Sequence, residues 1–154
     1  RNVTFEGTAR EVLRLQLNHR IHPLGEVVFH PAARRGDPEW RVMYIGVGDG
    51  GSGEAARPDL RDHPQRLDTL VGKILRIIPD LSEHQSTSTV SENGRYRAPN
   101  DNPFVSRPGA RKEIWAYGFR NPHRLSWDAA TDTLLVNDIG YLAWEEVNIV
   151  RRGR

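Results

Sequence analysis

The residues best suited to chemistry lie in one stretch, Glu113-Ile-Trp-Ala-Tyr-Gly-Phe-Arg-Asn121, followed directly by Pro122. Arg120 offers a planar guanidinium with several forked donors, and Asn121 offers both a donor and an acceptor. This chemistry is hydrogen bonding and charge, and it needs a rigid support. Trp115, Tyr117 and Phe119 alternate with other residues, the period of a half-buried strand. Gly118 permits a bend or a close backbone approach, and Pro122 biases Asn121 away from helix and ends the strand. The same residues also read as a plain strand end, with a solvated Arg and an Asn that caps a turn.

A second cluster, Gly48-Asp-Gly-Gly-Ser-Gly53, invites a phosphate-loop reading. It lacks the Gly-Lys-Ser/Thr ending, and no helical pattern follows, so a flexible turn carrying Asp49 at a strand exit fits better. His30, His63, His84 and His123 do not have the spacing of metal ligands and read as surface or packing residues. Trp115, Trp127 and Trp144 read as core, and Asp101 and Asn102 as formers of Asx turns. There is no cysteine, which excludes disulfides, thiolate catalysis and cysteine zinc sites.

The elements that must hold these residues are short strands. Strands are expected at 10–17, 26–29, 41–47, 70–78, 113–119, 124–127, 133–137 and 145–150. Residues 54–68 read as a long loop with a helical turn, 81–93 as a polar surface loop and 96–104 as a rigid turn segment. Short strands with turn signals between them and no long helix define an all-β sandwich, barrel or propeller. A weak internal echo, Tyr44-Ile-Gly-Val-Gly-Asp49 against Leu135-Val-Asn-Asp-Ile-Gly140, has each strand delivering Asp and Gly to its exit.

At 154 residues the chain has room for one domain with a real core. The charge of +2, from 22 basic against 20 acidic residues, is too balanced to argue for nucleic acid. No run of 18 apolar residues is present, so no membrane span is expected. Both ends read as a chain already under way, so 1–154 is expected to be a partial domain from a longer protein.

Five segments, in order, resemble the glucose/sorbosone dehydrogenase family, which includes sugar dehydrogenases that use pyrroloquinoline quinone (PQQ). They are Tyr44-Ile-Gly-Val-Gly-Asp-Gly-Gly51, Leu67-Asp-Thr-Leu-Val-Gly-Lys-Ile-Leu-Arg-Ile77, Tyr96-Arg-Ala-Pro-Asn-Asp-Asn-Pro-Phe-Val105, Glu113 to Pro122, and Asp138-Ile-Gly-Tyr-Leu-Ala-Trp-Glu-Glu-Val-Asn148. Each is weak alone; five in order are specific, because chance matches multiply. The resemblance implies a six-bladed β-propeller, of which this chain covers about two blades. It also implies oxidation of an aldose at its C1 hydroxyl to a lactone, with PQQ and calcium as cofactors, in a periplasmic or secreted setting. By the same resemblance His22, in His22-Pro23-Leu24-Gly25, is the base, with His19 as the second candidate. Asp49 orients it, Arg120 and Asn121 touch the cofactor's quinone oxygens, and the Gly140 and Tyr141 carbonyls bind calcium. The partners implied are the sugar and either the missing blades or further copies of the chain. A propeller without catalysis that serves as a binding module, or an inactive fragment, are the rival readings; uptake of PQQ separates them from the enzyme. The strand-rich reading predicts a far-ultraviolet circular dichroism spectrum dominated by strand, and a helix-dominated spectrum would contradict it.

Overall fold

Two kinds of sequence give two kinds of strand in the computed structural model, which describes residues 9–54 and 58–153. Strands β2 (Met43–Val47) and β3 (Lys73–Ile77) lie buried, β2 apolar throughout and β3 apolar except for the buried Lys73 and Arg76. Strand β1 (Leu24–Phe29) mixes exposed and half-buried residues, as fits an edge strand. With β6 (Ile114–Tyr117) these form one antiparallel sheet in the order β1-β2-β3-β6. A separate hairpin, β4 (Ser88–Val90) with β5 (Arg97–Pro99), lies between β3 and β6 in sequence. It is fastened to the end of β3 by the Ile78–Arg97 bridge. Strands β7 (Pro122–Asp128), β8 (Thr133–Asp138) and β9 (Glu146–Val150) form a second antiparallel sheet. The described helical structure is limited to α1 (Pro58–Arg61) and a 3-10 turn, His63–Gln65.

Side chains alternate across the first sheet, so its two faces build two cores. Tyr44, Ile74 and Ala116 meet Leu125, Leu134, Val136 and Val150 of the second sheet. Ile45, Val47, Leu75, Ile77 and Ile114 face the other way, onto Leu70 and Tyr96. Each fully buried aliphatic residue here contributes about 1.5–3 kcal/mol relative to exposure.

Several expectations are corrected. Residues 10–17 form no strand; Val12, Leu13 and Leu15 pack as an irregular cover on the second core. Their alternation is real, but they meet a sheet face, where no ladder partner is offered. The segments 81–93 and 96–104 carry the β4–β5 hairpin. Pro122 opens β7, where its ring removes only a donor. Trp144 is 81 % exposed and is not core.

The two sheets meet where Gly25 and Gly46 leave room for the Pro122 carbonyl. A Cβ on Gly46 would stand 2.4 Å from Pro122 O and 2.8 Å from Leu125 Cδ1, and one on Gly25 2.5 Å from Pro122 O. The obstacle at both places is backbone, which cannot swing aside. Gly46→Ala is therefore expected to lower unfolding stability by about 1–3 kcal/mol, the usual cost of overpacking. Urea unfolding checks this, and an unchanged midpoint would show that the sheets part at no cost.

Candidate active site

The two sheets present the same end to one place. There β1 begins, β2 ends, β3 begins, β6 ends, β7 begins and β8 ends. His22 precedes β1, Asp49 follows β2, Arg120 and Asn121 cross from β6 to β7, and Asp138 closes β8.

The crossing is clamped through its backbone by the Asp138 carboxylate and by the backbone N–H groups of Asp49 and Ile139. Asp138 Oδ2 accepts the Arg120 N–H at 3.0 Å, and Oδ1 accepts the Asn121 N–H at 2.6 Å. Ile139 N–H donates to Asn121 O at 3.1 Å, and Asp49 N–H donates to Arg120 O at 2.7 Å. Burial pushes the Asp138 carboxyl up, against the two N–H bonds that favour its anion. Asp49 and Asp138, the aspartates that the two echoing strands deliver to their exits, act alike, since each receives backbone N–H groups.

Asp49 is buried. Its Oδ1 accepts Gly51 N–H at 2.8 Å and its Oδ2 accepts Gly53 N–H at 3.1 Å. The same Oδ1 lies 2.7 Å from His22 Nδ1. His22 is held at φ 47°, a left-handed conformation that a non-glycine residue adopts at a cost of order 1–3 kcal/mol. Its carbonyl accepts Gly50 N–H at 3.2 Å, and the Pro23 carbonyl accepts Gly48 N–H at 3.0 Å. Gly48 is required here, since a Cβ would stand 2.3 Å from His22 O. With Nδ1–H donated to Asp49, the Nε2 lone pair of His22 is left without a bond to any described residue. His19 is exposed, and among the described residues its Nδ1 accepts only the Ile21 N–H, at 3.4 Å. Asp49 orients His22 and not His19.

The Arg120 guanidinium is spread over three acceptors. Nη1 donates to Ile139 O at 3.0 Å and to Gly140 O at 2.8 Å, and Nη2 donates to Glu54 Oε1. The Tyr141 ring lies against it, 5.4 Å from the guanidinium carbon to the centroid. Glu54 also brings Oε2 to 3.8 Å from His22 Nδ1. His22, Asp49, Arg120 and Gly140 therefore converge, while Tyr141 contributes its ring and Ile139 the second converging carbonyl. The Asn121 side chain is half-buried and bonds to no described residue. Glu54 is the residue that sequence reasoning missed. It lies in a polar turn whose composition gives no periodic signal, and only folding brings it to Arg120, 66 positions away.

The donor set fits a quinone cofactor and, in part, a hard cation. A free amide beside a guanidinium suits carbonyl and anionic oxygens. The Ile139 and Gly140 carbonyls form an electronegative pole that already holds a cation, in the form of Arg120. Carbonyl oxygens suit calcium, but two supply only part of its usual six to eight ligands.

A nearly all-β chain of two larger antiparallel sheets and a two-stranded hairpin, delivering its polar residues to one end, is a partial β-propeller. The sequence model of the Glucose / Sorbosone dehydrogenase family matches residues 16–154, and the chain belongs to that family. It is 32 % identical over 148 residues to the HIPL1 protein of Arabidopsis thaliana, covering 94 % of this chain and 19 % of that protein. It is 31 % identical over 112 residues to an aldose sugar dehydrogenase of Escherichia coli, covering 73 % of this chain and 24 % of that one. Among solved structures it is similar to the soluble aldose sugar dehydrogenase of Escherichia coli in its apo-form. That match has a TM-score of 0.52 and 30 % identity, and covers 73 % of this chain and 26 % of the other. It is also similar to the PQQ-bound aldose sugar dehydrogenase of Streptomyces coelicolor, with a TM-score of 0.50 and 28 % identity, over 73 % and 25 % of the two chains. The chain thus spans about a fifth to a quarter of the length of these relatives. No helix among the described residues is long and apolar enough to cross a membrane.

Behind the site, Lys73 is fully buried and donates to the carbonyls of His63, Pro64 and Val71 at 3.0, 2.9 and 2.7 Å. It ties the 3-10 turn to the start of β3, beside Gly72, whose N–H meets Gly48 O at 2.9 Å. Burial pulls its amine down to about 7, with the Asp68 carboxylate opposing. In the unfolded chain a lysine keeps its proton up to about pH 10.4. Between those values the unfolded chain binds a proton that the folded one does not, so stability rises with pH across that window and falls as pH drops through about 7. Thermal unfolding from about pH 6 to about pH 10 is expected to show this rise in the native chain and a flatter profile in Lys73→Met. Equal slopes would remove Lys73 as its cause.

Proposed function

We propose that this chain supplies the base and the quinone-facing cation of a PQQ-dependent sugar dehydrogenase that oxidises an aldose C1 hydroxyl to a lactone. The observation that carries the reading is the His22 Nδ1–Asp49 Oδ1 contact at 2.7 Å, with Arg120 joined to both residues through Glu54 and the Asp49 N–H. Family membership and the PQQ-bound relative support the cofactor.

Bound PQQ would supply an acceptor for the hydride lost from the sugar C1. The chain's own residues handle the rest. Asp49, fixed by two backbone N–H groups, keeps the proton of His22 on Nδ1. The Nε2 lone pair takes the proton of the C1 hydroxyl, and the resulting imidazolium is stabilised by the Asp49 carboxylate. The C1–H bond breaks as the C1–O bond becomes a carbonyl, so the sugar loses two electrons and two hydrogens in all. Arg120 and Asn121 would hold the cofactor's oxygens, and the guanidinium stabilises negative charge that builds there. The Gly140 and Tyr141 carbonyls would be offered to calcium. The missing blades of a longer chain or a second copy would cover the open sheet edges. A periplasmic or secreted setting belongs to the same reading.

The test uses the full-length parent reconstituted with PQQ and calcium. Arg120→Ala is expected to lower kcat about a hundredfold, the cost of losing one charge-stabilising contact of roughly 3 kcal/mol. His22→Ala should lower it at least as far, and His19→Ala should leave it near the native value. Full activity with Ala at position 22 would remove His22 from the mechanism, and failure to take up PQQ would favour a binding module.

A further inference from the structure

Glu54 has no part in the chemistry described above, yet its carboxylate takes the place on Arg120 where an anionic oxygen would bind. Its Oε1 accepts from Arg120 Nη2, and its Oε2 is 3.8 Å from His22 Nδ1. The other guanidinium contacts are of a different kind. Nη1 is fixed by the Ile139 and Gly140 carbonyls, and the Tyr141 ring backs the group. These neutral partners aim the guanidinium without cancelling its charge; among the described residues Glu54 alone forms an ion pair with it, Asp138 acting on it only from the backbone side. The support of Glu54 is correspondingly light. Asp49 secures the turn as far as the Gly53 N–H, and Glu54 is the next residue. Its side chain is 26 % exposed and that of Arg120 is 23 % exposed, so the pair opens to solvent.

We infer that Glu54 is a specificity-determining residue: an internal counter-ion that an incoming ligand must displace from Arg120, which selects for anionic oxygens over neutral ones. This rests on the reading that Arg120 faces an anionic group. A neutral carbonyl competes poorly with a carboxylate for the same guanidinium N–H groups, because only the carboxylate adds the attraction of a full opposite charge. A ligand carrying a carboxylate or a quinone oxygen that becomes anionic can compete. When Glu54 leaves, the Ile139 and Gly140 carbonyls keep Arg120 aimed, so the cation is released without losing its place. The departing carboxylate has a nearby destination in His22, whose Nδ1 is 3.8 Å from Glu54 Oε2 and whose ring becomes cationic when the imidazole acts as a base.

The test needs neither PQQ nor sugar. Oxalate, a dianion with adjacent carboxylates, is titrated into the full chain at fixed ionic strength, and the Arg120 Nε–H signal is followed by NMR. Glu54→Gln, which keeps the size and removes the charge, is expected to bind oxalate about fivefold more tightly than the native chain, as befits loss of one partly exposed competing ion pair. Glu54→Ala should shift affinity in the same direction, which guards against a special effect of Gln. Arg120→Ala, followed through the Tyr141 signals, should lose the binding. Equal or weaker oxalate binding in both Glu54 variants would overturn the inference, as would binding that survives Arg120→Ala. The outcomes separate this idea from the proposed reaction. A parent inactive with PQQ would sink the reaction and leave a positive oxalate result standing, and an active parent with unchanged oxalate binding would do the reverse.

Discussion

The rest of the structure depends on the clamp that Asp138 and Asp49 place on the Arg120–Asn121 corner. Two N–H groups of the corner go to one buried carboxylate, and one of its carbonyls goes to the backbone of the other aspartate's strand exit. A corner between two sheets cannot satisfy its own backbone groups by ladder pairing. Left unpaired, each buried group would cost about 1–3 kcal/mol. The Asp138 carboxylate and the Asp49 N–H supply the missing partners, and in doing so they join β2, β6, β7 and β8 at one end. The direction of the Arg120 side chain is a consequence of that backbone constraint.

The sheet interface follows the same logic at a lower level. Pro122 follows directly after the clamped corner, and its carbonyl enters the gap left by Gly25 and Gly46. Tyr44 meets the Trp115 and Trp127 rings edge to face, with centroids at 5.8 and 5.3 Å. Arg76, buried in the first sheet, covers the Trp115 face at 4.9 Å and reaches Glu39 and Asp101, each at 2.6 Å. A buried guanidinium is tolerated because two carboxylates and Asn102 accept from it. This second charged network holds the 39–42 and 100–102 turns in place. Glu113 is stabilised in a similar way: burial would raise its carboxyl, but the Arg111 and Tyr96 bonds hold it low.

Charge at the candidate site is arranged in alternation. Asp49, His22, Glu54 and Arg120 form a chain in which each anion lies beside a cation or a group that can become one. Such a chain can take up a proton at His22 and negative charge near Arg120 without large movement, because the compensating partner is already within about 4 Å of each site.

The sequence by itself determined the class of the fold. Short apolar runs broken by Gly, Pro and Asx turns cannot form long helices, and two of them became the buried central strands 43–47 and 73–77. It also singled out Arg120, Asn121 and Asp49, because glycine and proline next to a strand exit are local signals. Local signals could not tell that the alternating residues 10–17 cover a sheet face, since alternation records burial of one side and not the presence of a ladder partner. Nor could they place the β4–β5 hairpin in polar segments, because its pairing depends on contacts with the end of β3. Trp144 reads as core by type, yet its exposure depends on what packs beside β9. His22 against His19, and the whole role of Glu54, were decided only by tertiary structure. Which imidazole meets Asp49, and which carboxylate meets Arg120, depends on how turns separated by 27 and 66 positions are brought within hydrogen-bond reach.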